Sequence, residues 1–323
     1  MIQMNYLRNQ SAKIVWNGES GEYFALDKGV RQGGILLPFL LKLYIDGIMK
    51  KVDEMGLGCM LSPVRINILA YADDLVLVAY SVSALNELYA KLSNMLGLRK
   101  LMINIKKSKC MIFCKKNQTN IQDDIILEND KFEVVLQYKY LGHILQNKLT
   151  DDLDIEYRLN IFYAKFNWLF RNFKDISLET FLFLFNAYCM SDYGLSLWNS
   201  MSVFSKQFFK TFDVAYSNAL KKMKGVPFYT SSHLIANEQN QLLLKHLVTY
   251  AQARYFKRIF NTSNILLKIL SVFLKDGYLY KSLSQRLCNI YEVDFFLNST
   301  CILKARIYWV QRHEPVTGRL IDV

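Results

Sequence analysis

The stretch from Asn67 to Ala79 reads N-I-L-A-Y-A-D-D-L-V-L-V-A. Two short apolar runs, Ile68-Leu69-Ala70 and Leu75 to Ala79, flank an acidic pair, Asp73 and Asp74. Both runs are rich in branched apolar residues, and each predicts a buried strand. Asp between such runs favours a tight turn, because its short side chain bonds nearby backbone groups and tolerates unusual φ/ψ values. The expected unit is a β-hairpin with two carboxylates at or beside its tip. In a regular strand neighbouring side chains point to opposite faces, but a turn breaks that alternation and lets both acids face one space.

Two carboxylates on a rigid hairpin suit a hard divalent cation, which takes one or two protein carboxylates and completes its shell with water and substrate phosphates. Two such ions clamp the attacking and leaving oxygens of a phosphoryl transfer. Taken alone, however, Asp-Asp is more often turn chemistry than a metal site. The surroundings have to decide.

Downstream, Ser81 to Leu98 carries Leu85, Leu88, Tyr89, Leu92, Met95 and Leu96 at helical spacing, with Ser81 or Ser83 as a cap and Gly97 at the end. Met102 to Ile105 then runs into the cations Lys106, Lys107 and Lys109, followed by strand-like Cys110 to Phe113. Asn117 to Asp130 reads as a polar loop around a short strand, and Val134 to Leu145 closes a β-rich region. Upstream, Ala12 to Trp16 and Glu22 to Leu26 predict a hairpin across Asn17-Gly18. A glycine-rich loop, Gly29-Val30-Arg31-Gln32-Gly33-Gly34, precedes an apolar helix over Ile35 to Val52. That helix is expected to bury Leu36, Phe39, Leu40, Leu43, Tyr44, Ile48 and Val52, with Pro38 in its first turn. A glycine-rich loop before a helix lets backbone approach a phosphate or base closely.

Beyond Asp151 the pattern turns helical: Arg158 to Asn172, Leu178 to Met190, Ser205 to Lys224 and Gln241 to Phe260, with Gly225 and Pro227 stopping the third. The expected division is an α/β part over residues 1–147 and an all-helical part over 148–323.

The formal charge is +12. Residues 1–145 hold 18 Lys and Arg against 14 Asp and Glu, and residues 146–323 hold 22 against 14, so the later half supplies more of the field. That balance suits a polyanionic partner. Six scattered cysteines predict a reducing compartment and no structural zinc, since no His lies near Cys110 and Cys114 at zinc-site spacing. The start lacks the apolar core of a signal peptide, and Lys42 and Asp46 interrupt the longest apolar stretch. A soluble, intracellular chain is expected, with no membrane partner.

The order Gly29-Val-Arg-Gln-Gly-Gly, Tyr44-Ile-Asp, Ala70-Tyr-Ala-Asp-Asp, Asn104-Ile-Lys-Lys-Ser-Lys-Cys and Tyr140-Leu-Gly resembles the reverse transcriptase of non-LTR retrotransposons. The resemblance covers the first half well and the helical half loosely, there mainly through Leu220 to Pro227. It implies an α+β fold: a partial polymerase palm, an antiparallel sheet with packed helices, then a helical thumb and post-thumb region. It implies catalytic metal, Mg²⁺ or Mn²⁺, at Asp73 and Asp74. It places Arg31, Gln32, Gly33 and Gly34 against template and incoming nucleotide, and Lys107 near the phosphates of the nucleotide. Tyr140, Leu141 and Gly142 correspond to the primer grip. The implied partners are an RNA template, a DNA primer and a deoxynucleotide.

The chain also departs from that family. A further metal-binding aspartate ordinarily precedes the Arg-Gln-Gly loop on its own strand; Asp27 lies too close to the loop to replace it. Leu37 stands where Ser is usual, and Gly47 where a polar residue is common. The expectation is an N-terminally truncated polymerase fragment, inert alone, without the fingers, the endonuclease domain or the cysteine/histidine knuckle. Two alternatives stay open: a nucleic-acid-binding remnant without catalysis, and a decayed reading frame whose product has no role.

Overall fold

The computed structural model describes residues 11–25, 36–61, 64–113, 124–173, 175–190, 194–198, 207–264, 266–269 and 271. The first described segment is a nested hairpin: β1 (Ser11–Ala12) pairs with β4 (Phe24–Ala25), and β2 (Val15–Trp16) with β3 (Glu19–Ser20). Asn17 and Gly18 close the inner pair with φ of +50° and +85°, the left-handed turn that Asn-Gly favours. The predicted second strand thus shrinks to Phe24–Ala25 among the described residues, and Leu26 lies outside them.

Helix α1 (Leu37–Asp53) leads to the hairpin of β5 (Cys59–Leu61) and β6 (Val64–Ile66), then to β7 (Ile68–Tyr71) and β8 (Asp74–Leu77). Helix α2 (Val82–Leu98) follows, capped by Ser81, whose hydroxyl accepts from Ala84 N at 3.1 Å. Ile48 and Val52 of α1 pack with Leu88, Leu92 and Leu96 of α2. The apolar face expected of α1 is corrected at its N-terminal end. Leu36, Phe39, Leu43 and Tyr44 are exposed, because α1 meets α2 and β7 through its C-terminal half.

Next come β9 (Lys109–Cys110), β10 (Ile125–Leu127) and β11 (Asp130–Val134), a three-stranded sheet in which β11 runs antiparallel to β10 and parallel to β9. The strand expected over Cys110 to Phe113 stops at Cys110. Tyr89, Leu127 and Phe132 form a small core beneath this sheet. The hairpin of β12 (Gln137–Tyr140) and β13 (His143–Gln146) closes the region.

The elements described beyond β13 are helical: α3 (Asp152–Asn172), α4 (Leu178–Tyr188), a 3₁₀ turn at Leu195–Leu197, α5 (Gln207–Lys224), α6 (Ser232–Glu238) and α7 (Leu244–Phe260). Seven residues of α6 are too few to show a helical period, which is why no pattern announces it. One apolar cluster runs through all five helices, from Ile155 and Phe162 through Phe185, Phe212 and Tyr216 to Ile235 and Val248.

Helices α2, α5 and α6 end alike. The residue past the cap, Lys100, Gly225 or Asn240, takes a left-handed φ, and the next N–H reaches back five residues to a carbonyl. Gly225 was legible as a stop; α2, however, turns at Lys100 and not at Gly97. The architecture is α+β, mixing helices with small, mainly antiparallel sheets.

Candidate functional site

The register of β7 and β8 pairs Tyr71 with Asp74, Ala70 with Leu75, Leu69 with Val76 and Ile68 with Leu77. Only Ala72 and Asp73 remain for the turn. Ala72 takes φ +53°, a left-handed value that an Ala adopts only when its surroundings impose it. Ile68, Leu75 and Leu77 pack on the core between α1 and α2. Alternation therefore puts Asp74 on the opposite face with Leu69, Tyr71 and Val76. Asp73, at the tip, and Asp74 beside it are both exposed. The expectation of buried strands is thus corrected: a two-stranded ribbon has one face against the helices, and Leu69 and Tyr71 lie on the open one.

Asn67 fixes the base of this ribbon. It is buried, and its Nδ2 donates to the last carbonyls of α1, Val52 O at 3.0 Å and Asp53 O at 3.3 Å. Its own carbonyl accepts from Val78 N at 2.8 Å, closing the ladder. Gly58 makes room: a Cβ there would lie 2.5 Å from Ile66 O and 2.6 Å from Asn67 Cβ. In the sequence Asn67 carries little signal beyond being a polar residue that opens an apolar run.

The second element is the turn Tyr140-Leu141-Gly142. Tyr140 pairs with His143, leaving Leu141 at φ +46° and Gly142 at φ +81° as a two-residue turn. Gly is at home in that conformation and Leu is not. Tyr140 is half-buried. Its phenol is pushed above the ordinary range, first by burial and then by the negative charge of Asp74. The fold therefore brings Tyr140 within electrostatic reach of Asp74 across 66 residues of sequence.

The third element is the lysine turn. Asn104 organises it, its carbonyl accepting from Lys107 N at 3.1 Å and Ser108 N at 3.0 Å, and its Oδ1 from Lys107 N at 3.2 Å. Tyr138 Oη donates to Lys107 O at 3.5 Å, so the turn lies against β12. Lys106 and Lys107 are exposed, whereas Lys109 pairs with Glu133 on β11. The expected cluster of three cations is thus corrected to two open lysines and one held in the sheet. Arg31, Gln32, Gly33 and Gly34 lie outside the described residues.

Among the described residues no group of three His, Cys, Asp or Glu side chains is arranged to hold a metal ion. The donors at the tip are Asp73 and Asp74, hard oxygen ligands open to water, which suit a cation that keeps most of its shell as water and phosphate. No described helix is long and apolar enough to cross a membrane.

Residues 2–145 match the family model described as reverse transcriptase (RNA-dependent DNA polymerase). The chain is also similar to the Retrovirus-related Pol polyprotein from type-1 retrotransposable element R2 of Popillia japonica, 27% identical over 136 residues. That match covers 39% of this chain and 19% of the relative, so the chain spans only a fraction of the relative's length. The family match falls on the residues that carry the ordered motifs, from Gly29 to Gly142.

Proposed function

We propose that this chain is the palm and thumb portion of an RNA-directed DNA polymerase, with the palm over residues 1–147 and a helical thumb and post-thumb region over 148–323. The observation that carries the reading is the hairpin tip: Asp73 in a strained two-residue turn, Asp74 beside it, and Tyr140 within reach of Asp74. Asp73 and Asp74 are the metal-binding carboxylates, and Mg²⁺ or Mn²⁺ held there supplies Lewis-acid stabilisation to the phosphates of a nucleotide. Asn67 and the α1 terminus keep the tip rigid, so the carboxylates need no reorganisation when substrate arrives. Lys107 offers an exposed cation to the phosphates. The turn Tyr140-Leu141-Gly142 holds the primer end, and the family resemblance assigns Arg31, Gln32, Gly33 and Gly34 to contacts with template and nucleotide. A net charge of +12 supplies non-specific attraction to the duplex.

The test is extension of a DNA primer on an RNA template with Mg²⁺ or Mn²⁺, comparing the chain with its Asp73→Asn variant. Extension that disappears in the variant supports the polymerase reading. Extension that persists in the variant overturns the role of Asp73. No extension from either, with duplex binding that weakens steeply as salt rises, favours the alternative of binding without catalysis.

A further inference from the structure

Asp154, in the first turn of α3, is completely buried. Arg158 reaches it with Nε at 2.7 Å from Oδ2 and Nη2 at 3.3 Å from Oδ1. Trp198 Nε1 donates to Oδ2 at 2.8 Å, and Ile144 N donates to Oδ1 at 3.0 Å. His143 Nδ1 lies 3.2 Å from Oδ2. Arg158 Nη2 also donates to Gly142 O at 3.3 Å, and Gly194 leaves it space: a Cβ there would lie 2.3 Å from that nitrogen. On the far side, Gln252 of α7 donates to Trp198 O at 2.8 Å.

These bonds join two parts of the molecule. Gly142 belongs to the turn of the β12–β13 hairpin, whose Tyr140 lies in reach of Asp74, and His143 and Ile144 open β13. Trp198 and Gln252 belong to the helical region. Ile144 faces Lys139 in the ladder, at a position one removed from the hydrogen-bonded pair Tyr140–His143. Its N–H therefore points away from β12, and Asp154 satisfies it. A helix contacting this hairpin through side-chain packing alone would need no buried charge, and apolar residues often serve stability as well as a buried ion pair. What the charged node adds is direction: four donors converge on one carboxylate, and the Arg158 fork ties it to one carbonyl of the turn.

We propose that Asp154 is a positioning residue for the primer 3′ end, locking the Tyr140-Leu141-Gly142 turn to the helical region through Arg158 and Trp198. The proposal rests on the reading of that turn as the primer grip. Asp154 does not touch the primer; it sets where the turn stands relative to the Asp73–Asp74 tip. Burial opposes its ionisation, but the groups around it, His143, Arg158, Trp198 and Ile144, overcome this and hold the carboxyl well below the usual range. The node is therefore charged at any pH at which a polymerase would work.

The experiment uses the full chain with a DNA primer on an RNA template, the primer carrying a photoreactive 3′-terminal nucleotide. Two quantities are read: duplex affinity by anisotropy, and crosslinking of the 3′ end to residues 138–144. The variants are Asp154→Asn and Arg158→Lys, the second retaining a cation for Asp154 while losing the fork to Gly142. Tyr216→Phe is the control, since it removes a part-buried hydrogen bond to Leu242 O in the same helical region. Crosslinking is expected to fall about 10- to 100-fold in both node variants, as misplacement of a reacting group by an ångström does. Duplex affinity should stay within about threefold, because phosphate contacts elsewhere dominate it.

Unchanged crosslinking in Arg158→Lys and in folded Asp154→Asn overturns the inference and leaves the primer-grip reading intact. An equal loss in Tyr216→Phe also overturns it, by showing a general loosening. A wild-type chain that binds duplex without crosslinking at 138–144 overturns the primer-grip reading and the inference with it. If Asp154→Asn does not fold, Arg158→Lys decides.

Discussion

Residues 11–146 and residues 152–260 bury themselves in opposite ways. The earlier region is built from strands of two to five residues over two small clusters, one around Ile48, Val52 and Leu88 and one around Tyr89, Leu127 and Phe132. Large apolar side chains stay exposed in both regions, Trp16, Phe39 and Tyr71 in the earlier and Trp168, Phe183 and Tyr229 in the later. The later region packs ring on ring: Phe162 and Phe166 stack at 6.0 Å, and Phe185 meets both edge-on at 6.1 and 6.0 Å. Yet the recognisable motifs lie in the thinly packed region. On the function proposed above, that surface meets nucleotide and duplex and is constrained in chemistry, so residue identities there are specific. A helical core is constrained mainly in volume, and many apolar sequences satisfy it.

The sharpest way to break this contrast is to attack the charged node that joins the two regions. Replacing Asp154 with Ala leaves the partly buried Arg158, together with Trp198 Nε1 and Ile144 N, without the acceptor they share, which should cost about 3–5 kcal/mol. Denaturant unfolding followed by helix content measures this. The node also carries a pH signature. The folded-state carboxyl titrates below its unfolded value, so its contribution is complete above the ordinary Asp value of about 3.9 and is lost as pH falls below it. Wild type should therefore lose stability below that pH more steeply than Asp154→Asn, and equal acid limbs would refute the assignment.

A smaller effect is expected at the base of the acidic hairpin. Asn67→Ala removes the donor to Val52 O and Asp53 O and should cost about 1–3 kcal/mol. Hydrogen exchange at Val78 N, whose acceptor is Asn67 O, should quicken while the amides of α7 do not change. Protection lost equally in both regions would mean that their stabilities are not separable. The smallest change is Ser81→Ala, which deletes the cap of α2 for about 1 kcal/mol, read as a shift in the denaturant midpoint.

Local chemistry was legible. Ile68 to Tyr71 and Asp74 to Leu77 pair around Ala72-Asp73, Asn17-Gly18 turns, Ser81 caps α2 and Gly225 ends α5 because each depends on a few neighbouring residues. Exposure was less legible. Phe39 and Leu43 have the spacing of a buried face, but spacing does not say where the neighbouring elements stop. Cys110 to Phe113 has strand composition, yet β11 offers a partner only to Lys109 and Cys110.

By itself, then, the sequence determined the motif order, the acidic turn and the helical character of the second half, since turns, caps and periodicity act over a few residues. Only the tertiary structure decided that Tyr140 stands near Asp74, that Asn67 ties the acidic hairpin to α1, and that Asp154 draws Arg158, Ile144 and Trp198 into one buried node. Apart from the helical pair Asp154–Arg158, those contacts span 10 to 66 residues of chain and depend on how separate elements dock. Docking is set by the shapes and buried areas of whole elements, and no short window of residues carries it.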